Sequence, residues 1–330
     1  MQKRIYSLII MAMFLFFGGG KVMAQDVHFS QFFSNPVYLN PAFAGANVCP
    51  RVVANFRDQW PSISGTFVSY SASYDQHFDK LAGGIAVLLM GDHAGQGTIN
   101  TYAASFVYSY KLKVTRKFSM RFALQATCQQ KSLDWSKLTF PDMIDPKYGF
   151  VYETNETQPS KLSKVVADFS TGFIGYTDKL YFGLAVHHFT RPYEGFISVS
   201  RLPIKWTAHF GGYFDLKRKS RRARSFGDIS ISPNIIYQHQ LSFHQFNYGM
   251  YLNYYPFVVG VWYRHSIKNS DAVIFMFGLQ HEMIRVAYSY DLTVSKLANL
   301  SGGAHEVSLQ FLFKCPEKSR VMKDLNCPSF

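Results

Sequence analysis

Several stretches of this chain alternate apolar and polar side chains residue by residue. From Phe118 to Gln129, Phe118, Met120, Phe122, Leu124, Ala126 and Cys128 share one face, opposite Ser119, Arg121, Ala123, Gln125, Thr127 and Gln129. From Thr66 to Tyr74, Val68, Tyr70, Ala72 and Tyr74 oppose Ser69, Ser71 and Ser73. From Ile204 to Asp215, Ile204, Trp206, Ala208, Phe210 and Phe214 alternate with Lys205, Thr207, His209, Tyr213 and Asp215. A period of two is that of a β-strand. Such stretches of about 9–12 residues match a tilted strand crossing a bilayer, whereas strands of soluble domains centre on about 5–6. The pattern points to a barrel with an apolar outside and a polar inside.

Composition alone leaves an exported, aromatic-rich, charge-poor chain two homes, a secreted sandwich or adhesin and an outer-membrane barrel, and it is the length and alternation of the strands that favour the barrel. Aromatic residues make up 17% of the chain and charged residues only 17%. Soluble domains carry about 25% charged residues, while a lipid-facing barrel wall needs aromatic girdles and an apolar band. Export itself is read from the first residues. A basic start, "MQKR", an apolar run, "IYSLIIMAMFLFF", and small residues ending at Ala24 have the layout of a cleaved secretory leader. The apolar run is short of the roughly 20 residues of a spanning helix. Removing Lys3, Arg4 and Lys21 with the leader takes the formal net charge from +13 to +10. A basic chain can meet nucleic acid, but export argues against that partner and favours outer-membrane lipids.

The dyad pattern continues over 51–58, 66–75, 82–91, 98–110, 118–130, 165–177, 179–189, 203–215, 227–238, 243–255, 257–266, 272–282, 284–292 and 305–313. These fourteen strands form an even number, which brings both ends of a barrel to the periplasm. With the first strand running outward, the long connections 131–164, 190–202 and 293–304 fall outside, and the short turns at 177–178, 255–256 and 281–283 fall inside, the asymmetry of outer-membrane barrels. One inside turn is exceptional. Lys217, Arg218, Lys219, Arg221, Arg222 and Arg224 make it strongly basic, either a solvated turn or a docking patch for a periplasmic partner or anionic head groups.

Nothing in the chain reads as a catalytic centre, and no cofactor or metal is expected. His187 and His188 are adjacent, so strand geometry points them to opposite faces. "GDHAGQG" (91–97) reads as a hairpin turn rather than a phosphate loop, since no helix follows it. Asp134, Asp142, Asp145 and Glu153, in the longest outer loop, follow no calcium-loop spacing and read as a solvated loop. Of four cysteines, Cys49 and Cys315 flank the first and last strands, which pair in a closed barrel, so these two thiols are candidates for a disulfide; Cys315–Cys327 is the rival.

Five ordered motifs carry a family resemblance: "QDVHFSQFFSNPVYLNPAFAGA" (25–46), "NFRDQWP" (55–61), "DWSKLTFPDMID" (134–145), "YSYDLTVSKL" (288–297) and "GGAHEVSL" (302–309). Together they resemble the PorP/SprF family of Bacteroidota, with one small departure, Val27 where proline is expected. The resemblance implies an outer-membrane barrel of the type IX secretion system, tied in some members to gliding motility. It implies partners among the periplasmic and outer-membrane components of that system, and a role in export or surface attachment of cargo proteins with a C-terminal sorting domain. The alternative is a porin or a transporter of small hydrophobic molecules.

The expected organisation is a leader (1–24), an N-terminal periplasmic or plug segment (25–49), the barrel (50–314) and a periplasmic tail (315–330). The N-terminal segment is the least ordinary part. Val27 to Ala46 contains no Lys, Arg, Asp or Glu, and is broken by two Asn-Pro pairs. It is too aromatic for a mobile tail. Phe29, Phe32, Phe33, Tyr38 and Phe43 are therefore expected to bury against either the lumen, as a plug or periplasmic cap, or a periplasmic partner.

Overall fold

A computed structural model describes residues 26–47, 49–63, 65–196, 200–217, 226–267, 270–295 and 301–314. Its strands, in chain order, are β1 (Arg51–Gln59), β2 (Phe67–Phe78), β3 (Gly83–Ala94), β4 (Ile99–Lys113), β5 (Ser119–Leu133), β6 (Ser163–Tyr176) and β7 (Leu180–His187). They continue with β8 (Lys205–Gly212), β9 (Ile229–Gln240), β10 (Phe243–Tyr254), β11 (Phe257–Ser266), β12 (Ser270–His281), β13 (Ile284–Thr293) and β14 (Ala304–Leu312). A short extension, Phe214–Lys217, prolongs β8 beyond Tyr213 and keeps pairing with β9. Each strand is antiparallel to its chain neighbour, and β1 pairs with β14 from Arg51–Leu312 to Gln59–Ala304, so the sheet closes as a fourteen-stranded barrel.

The alternation seen in the sequence becomes the two faces of the wall. Phe122, Leu124, Trp206 and Phe210 are exposed on the outside, where lipid lies. Ser69, Ser71, Arg121, Gln125, Thr207 and His209 are buried on the inside. The long connections gather at one end and both chain ends of the barrel at the other, so the long-loop end is the outer end and the opposite end is periplasmic.

Several strands outrun their expected limits. β3 continues to Ala94 because Asp92 keeps the inward register and accepts a hydrogen bond from the Ser69 hydroxyl at 2.6 Å. The "GDHAGQG" turn is thus shorter than expected, confined to the residues between β3 and β4. Lys217, expected in the basic turn, is the last residue of the β8 extension and is exposed. Arg218, Lys219, Arg221, Arg222 and Arg224 lie outside the described residues.

Candidate functional site: the occupied lumen

A barrel of this size would enclose open space if only its own side chains filled it. Here the residues before β1 run down the lumen from the outer end to the periplasmic end. A 3-10 turn (Phe32–Ser34), a single α-turn (Pro36–Leu39) and a second 3-10 turn (Pro41–Phe43) fold the segment into a compact column. The Asn-Pro pairs explain the shape. Pro36 and Pro41 each open a turn, where a missing N–H costs nothing. Asn40 caps the second, its side chain accepting from the Ala42 N–H at 2.9 Å.

The segment is fixed to the wall at successive depths. At the outer end, the Asp26 carboxylate lies 2.9 Å from His188 Nε2 and 3.7 Å from Lys205 Nζ, and accepts from Gln240 Nε2 at 3.1 Å. Just below, the Ser30 and Gln31 N–H groups donate to the two oxygens of Glu306, at 2.6 and 3.2 Å. The Ser30 hydroxyl donates to Asp291 (2.5 Å) and accepts from Arg57 (2.6 Å) and Arg264 (3.1 Å). Arg57 pairs with both Asp291 and Glu306, so two arginines and two carboxylates surround one serine. Midway, Asn35 Nδ2 donates to the Ser71 hydroxyl at 2.7 Å. Lower still, Asn40 Nδ2 donates to the backbone oxygens of Phe173 and Leu184 and lies 3.0 Å from His209 Nε2. At the periplasmic end, the Gly45 N–H donates to Asp75 at 2.9 Å and Arg121 donates to the Gly45 carbonyl at 2.7 Å. Arg51 holds the same Asp75 from β1.

The aromatic side chains fill the volume between these anchors. Phe29, Phe32, Phe33 and Phe43 are fully buried and Tyr38 partly so. Phe32 packs on Trp262 with ring centroids 5.0 Å apart, Phe33 meets Tyr181 and Tyr251, and Phe43 stacks on His209 at 5.4 Å. The inner wall is therefore not uniformly polar. Tyr181, Tyr251 and Trp262 form an aromatic patch on β7, β10 and β11, which reading the strands one at a time did not identify. The signal was present: Trp262 sits on the inward register between Gly260 and Arg264. Glycines elsewhere clear the path. A Cβ at Gly172 would fall 2.1 Å from Asn40 Oδ1, and one at Gly84 would fall 2.4 Å from the Ala44 carbonyl oxygen.

The direction of the segment differs from the simplest expectation. A stretch that ends at the periplasmic start of β1 was expected to begin there too. Instead Asp26 sits at the outer end, where its carboxylate meets His188 and Lys205.

A cavity of about 100 Å³ remains at the outer end, beside the tip of the segment, lined by Asp26, Tyr38, Gln125, Lys131, His187 and Lys205 among others. His188 lines it too. The expectation that His187 and His188 face apart fails because β7 ends at His187 and His188 has φ 59°, which turns its ring to the same side. His188 donates to a carboxylate from each nitrogen, to Asp168 at 2.7 Å and to Asp26 at 2.9 Å. Burial alone would lower its pKa, but the two carboxylates hold it up at about 9. Burial would likewise raise the pKa of Asp26, yet His188 and Lys205 hold it well below the usual carboxylate range. His28 goes the other way, down to about 3, through burial and the nearby positive charge of Lys205 and Arg264. A ring protonated on both nitrogens has no lone pair with which to take a proton, so His188 is a charge bridge rather than a catalytic base.

The remaining sequence candidates do not join this site. Asp134 and Asp145 close local turns in the outer loop, Asp134 accepting from Ser136 and Asp145 from Lys147, Tyr148 and Tyr152, while Asp142 ties the loop to itself by accepting from Thr154 and Asn155. Among the described residues no group of three or more side chains is arranged to hold a metal. Cys49 is disulfide-bonded and Cys128 is a free, exposed thiol, while Cys315 and Cys327 lie outside the described residues.

The closed wall, lipid-facing aromatics and loop asymmetry define an outer-membrane β-barrel whose lumen is occupied by its own N-terminal segment. Over residues 22–311 the chain matches the profile of the type IX secretion system membrane protein PorP/SprF, and it belongs to that family. No curated protein matches it. Among solved structures, the toluene transporter TbuX of Ralstonia pickettii shares the barrel fold, at 8% identity and TM-score 0.50, over 84% of this chain and 93% of that one. A FadL homologue of Pseudomonas aeruginosa (12% identity, TM-score 0.43, 83% and 93% covered) and the KdgM porin (10%, 0.37, 80% and 99%) are more distant.

Proposed function

We propose that this protein is a non-enzymatic component of the type IX secretion system that supports export or surface attachment of cargo proteins bearing a C-terminal sorting domain, and not a solute channel. Family membership supports the secretion role. The observation that carries the rest is the column from Asp26 to Ala46, bonded to the wall at five depths. An open porin keeps a continuous aqueous path, whereas here buried aromatics and paired charges occupy it. In this reading the barrel is a sealed platform whose outer loops and periplasmic face meet the secretion machinery and the cargo. The periplasmic basic turn from Lys217 to Arg224 is one candidate contact for an acidic partner or anionic lipid.

Deletion of the gene, followed by quantitative proteomics of the culture medium and cell surface, tests this. Selective loss of one or a few sorting-domain proteins is the expected result, with restoration by the wild-type gene. An unchanged secretome together with lost uptake of a small solute would establish the transporter reading instead.

A further inference from the structure

The tip of the segment occupies a place with the properties of a ligand site. Asp26 presents one carboxylate to an imidazolium (His188), an ammonium (Lys205) and an amide N–H (Gln240), at 2.9, 3.7 and 3.1 Å. The Asp26 N–H returns a hydrogen bond to Gln240 Oε1 at 3.1 Å. The two cations are not equivalent. His188 keeps Asp168 on its other nitrogen, itself held by the Thr190 hydroxyl. Lys205 has Asp26 as its one acidic partner among the described residues, and its side chain is only 5% exposed. Take Asp26 away and a buried ammonium is left without a counter-ion, which is strongly unfavourable. The place would then demand an anion.

It also has room for one. The cavity of about 100 Å³ adjoins the Asp26 carboxylate and runs between β3, β4, β5 and the tip. At about 10–15 Å³ for each water-sized position, that is space for a molecule of several heavy atoms. Gln125, 7% exposed, lines the same cavity with its Oε1 lacking a hydrogen-bond partner. The seat thus selects a planar oxyanion at one end and tolerates a short polar body at the other.

We propose that the outer end of the lumen is a carboxylate-binding seat formed by His188, Lys205 and Gln240, which the chain fills in cis with Asp26 as a tethered ligand. A small free carboxylate of two to four carbons takes the seat when Asp26 leaves it. Asp26 is then an autoinhibitory contact: it holds the tip down and keeps the cavity closed to competing carboxylates.

Sodium acetate is the probe, against acetamide in sodium chloride at the same ionic strength and neutral pH. Wild type, Asp26→Asn, Asp26→Ser and the Asp26→Asn/Lys205→Met double variant are purified in detergent and melted by tryptophan fluorescence. Asp26→Asn and Asp26→Ser are expected to melt lower than wild type. Acetate should then raise their Tm on the order of 5 °C at about 100 times its Kd, with no such rise from acetamide. Wild type and the double variant should respond to acetate no more than to chloride. Equal responses in the single and double variants, or no acetate response in either single variant, would overturn the proposal. So would failure of both single variants to fold in acetate where wild type folds, because a filled seat should support the fold.

Discussion

The backbone N–H of Ser30 donates to the carboxylate of Glu306 at 2.6 Å, across 276 residues of chain. Glu306 belongs to β14, the strand that closes the barrel against β1. The N-terminal segment therefore clamps the seam at which the first and last strands meet. Arg57 of β1 and Asp291 of β13 complete the clamp from either side.

Removing one partner of this cluster leaves the others charged and buried. Asp291→Ala should destabilise the folded barrel by about 3–5 kcal/mol. Asp134→Ala, in the solvated outer loop, where water screens its pair with Lys137, should cost far less. Urea unfolding in detergent or lipid, followed by tryptophan fluorescence, compares the two. Equal costs would mean that the cluster is solvated and does not clamp the seam.

Phe33 is 2% exposed and wedged among Tyr181, Tyr251 and Trp262. Phe33→Ala should cost about 3–5 kcal/mol through the cavity it leaves. The loss should appear first as faster hydrogen exchange along residues 28–46, ahead of any change in the strands, because the segment can loosen without opening the wall.

At the periplasmic end, Gly84 and Gly45 meet backbone to backbone. Gly84→Ala puts a Cβ 2.4 Å from the Ala44 carbonyl oxygen and 2.5 Å from Gly45 Cα. Neither neighbour is a flexible side chain that can swing away, so the cost should be about 1–3 kcal/mol or more. A planar bilayer should show brief openings in this variant that wild type lacks.

The tip should loosen in mild alkali. The His188 ring, faced by Asp26, Asp168, Lys205 and His187, titrates at about 9 in the fold, against about 6.5 in the unfolded chain. A raised pKa means that its contribution is fully present below about pH 6.5 and is lost as pH rises through about 9. Asp26, with a depressed pKa, contributes above about pH 4 and loses that contribution only in strong acid. Across the window from about 6.5 to 9, tip opening should increase by at most about tenfold per pH unit, after correction for intrinsic exchange. His188→Gln should flatten the profile; an unchanged slope in that variant would assign the effect elsewhere.

Most of the wall was legible because a barrel strand repeats its environment every second residue. Phe257–Ser266 coincides with the expected 257–266 for this reason. Strand ends were less legible where polar residues such as Asp92, facing in, and His93, facing out, sit beside glycines and resemble a loop. The segment from Val27 to Ala46 was legible as ordered, from its rings and its Asn-Pro pairs, but not in its direction. A stretch without periodicity does not say what it touches. The charges that hold it, Arg57, Asp291, Glu306 and Lys205, could each be placed on an inward face. Which of them meet depends on the stagger of distant strands around the barrel, which no single strand encodes.

The central claim is that residues 26–46 seal the lumen. Single-channel recording in planar bilayers, comparing wild type with a variant lacking residues 28–46, tests it most directly. The account predicts a silent wild type and a steady, larger ion current in the deletion variant, its size reporting the emptied lumen. A wild type that already conducts steadily, or a folded deletion variant with unchanged current, would contradict it.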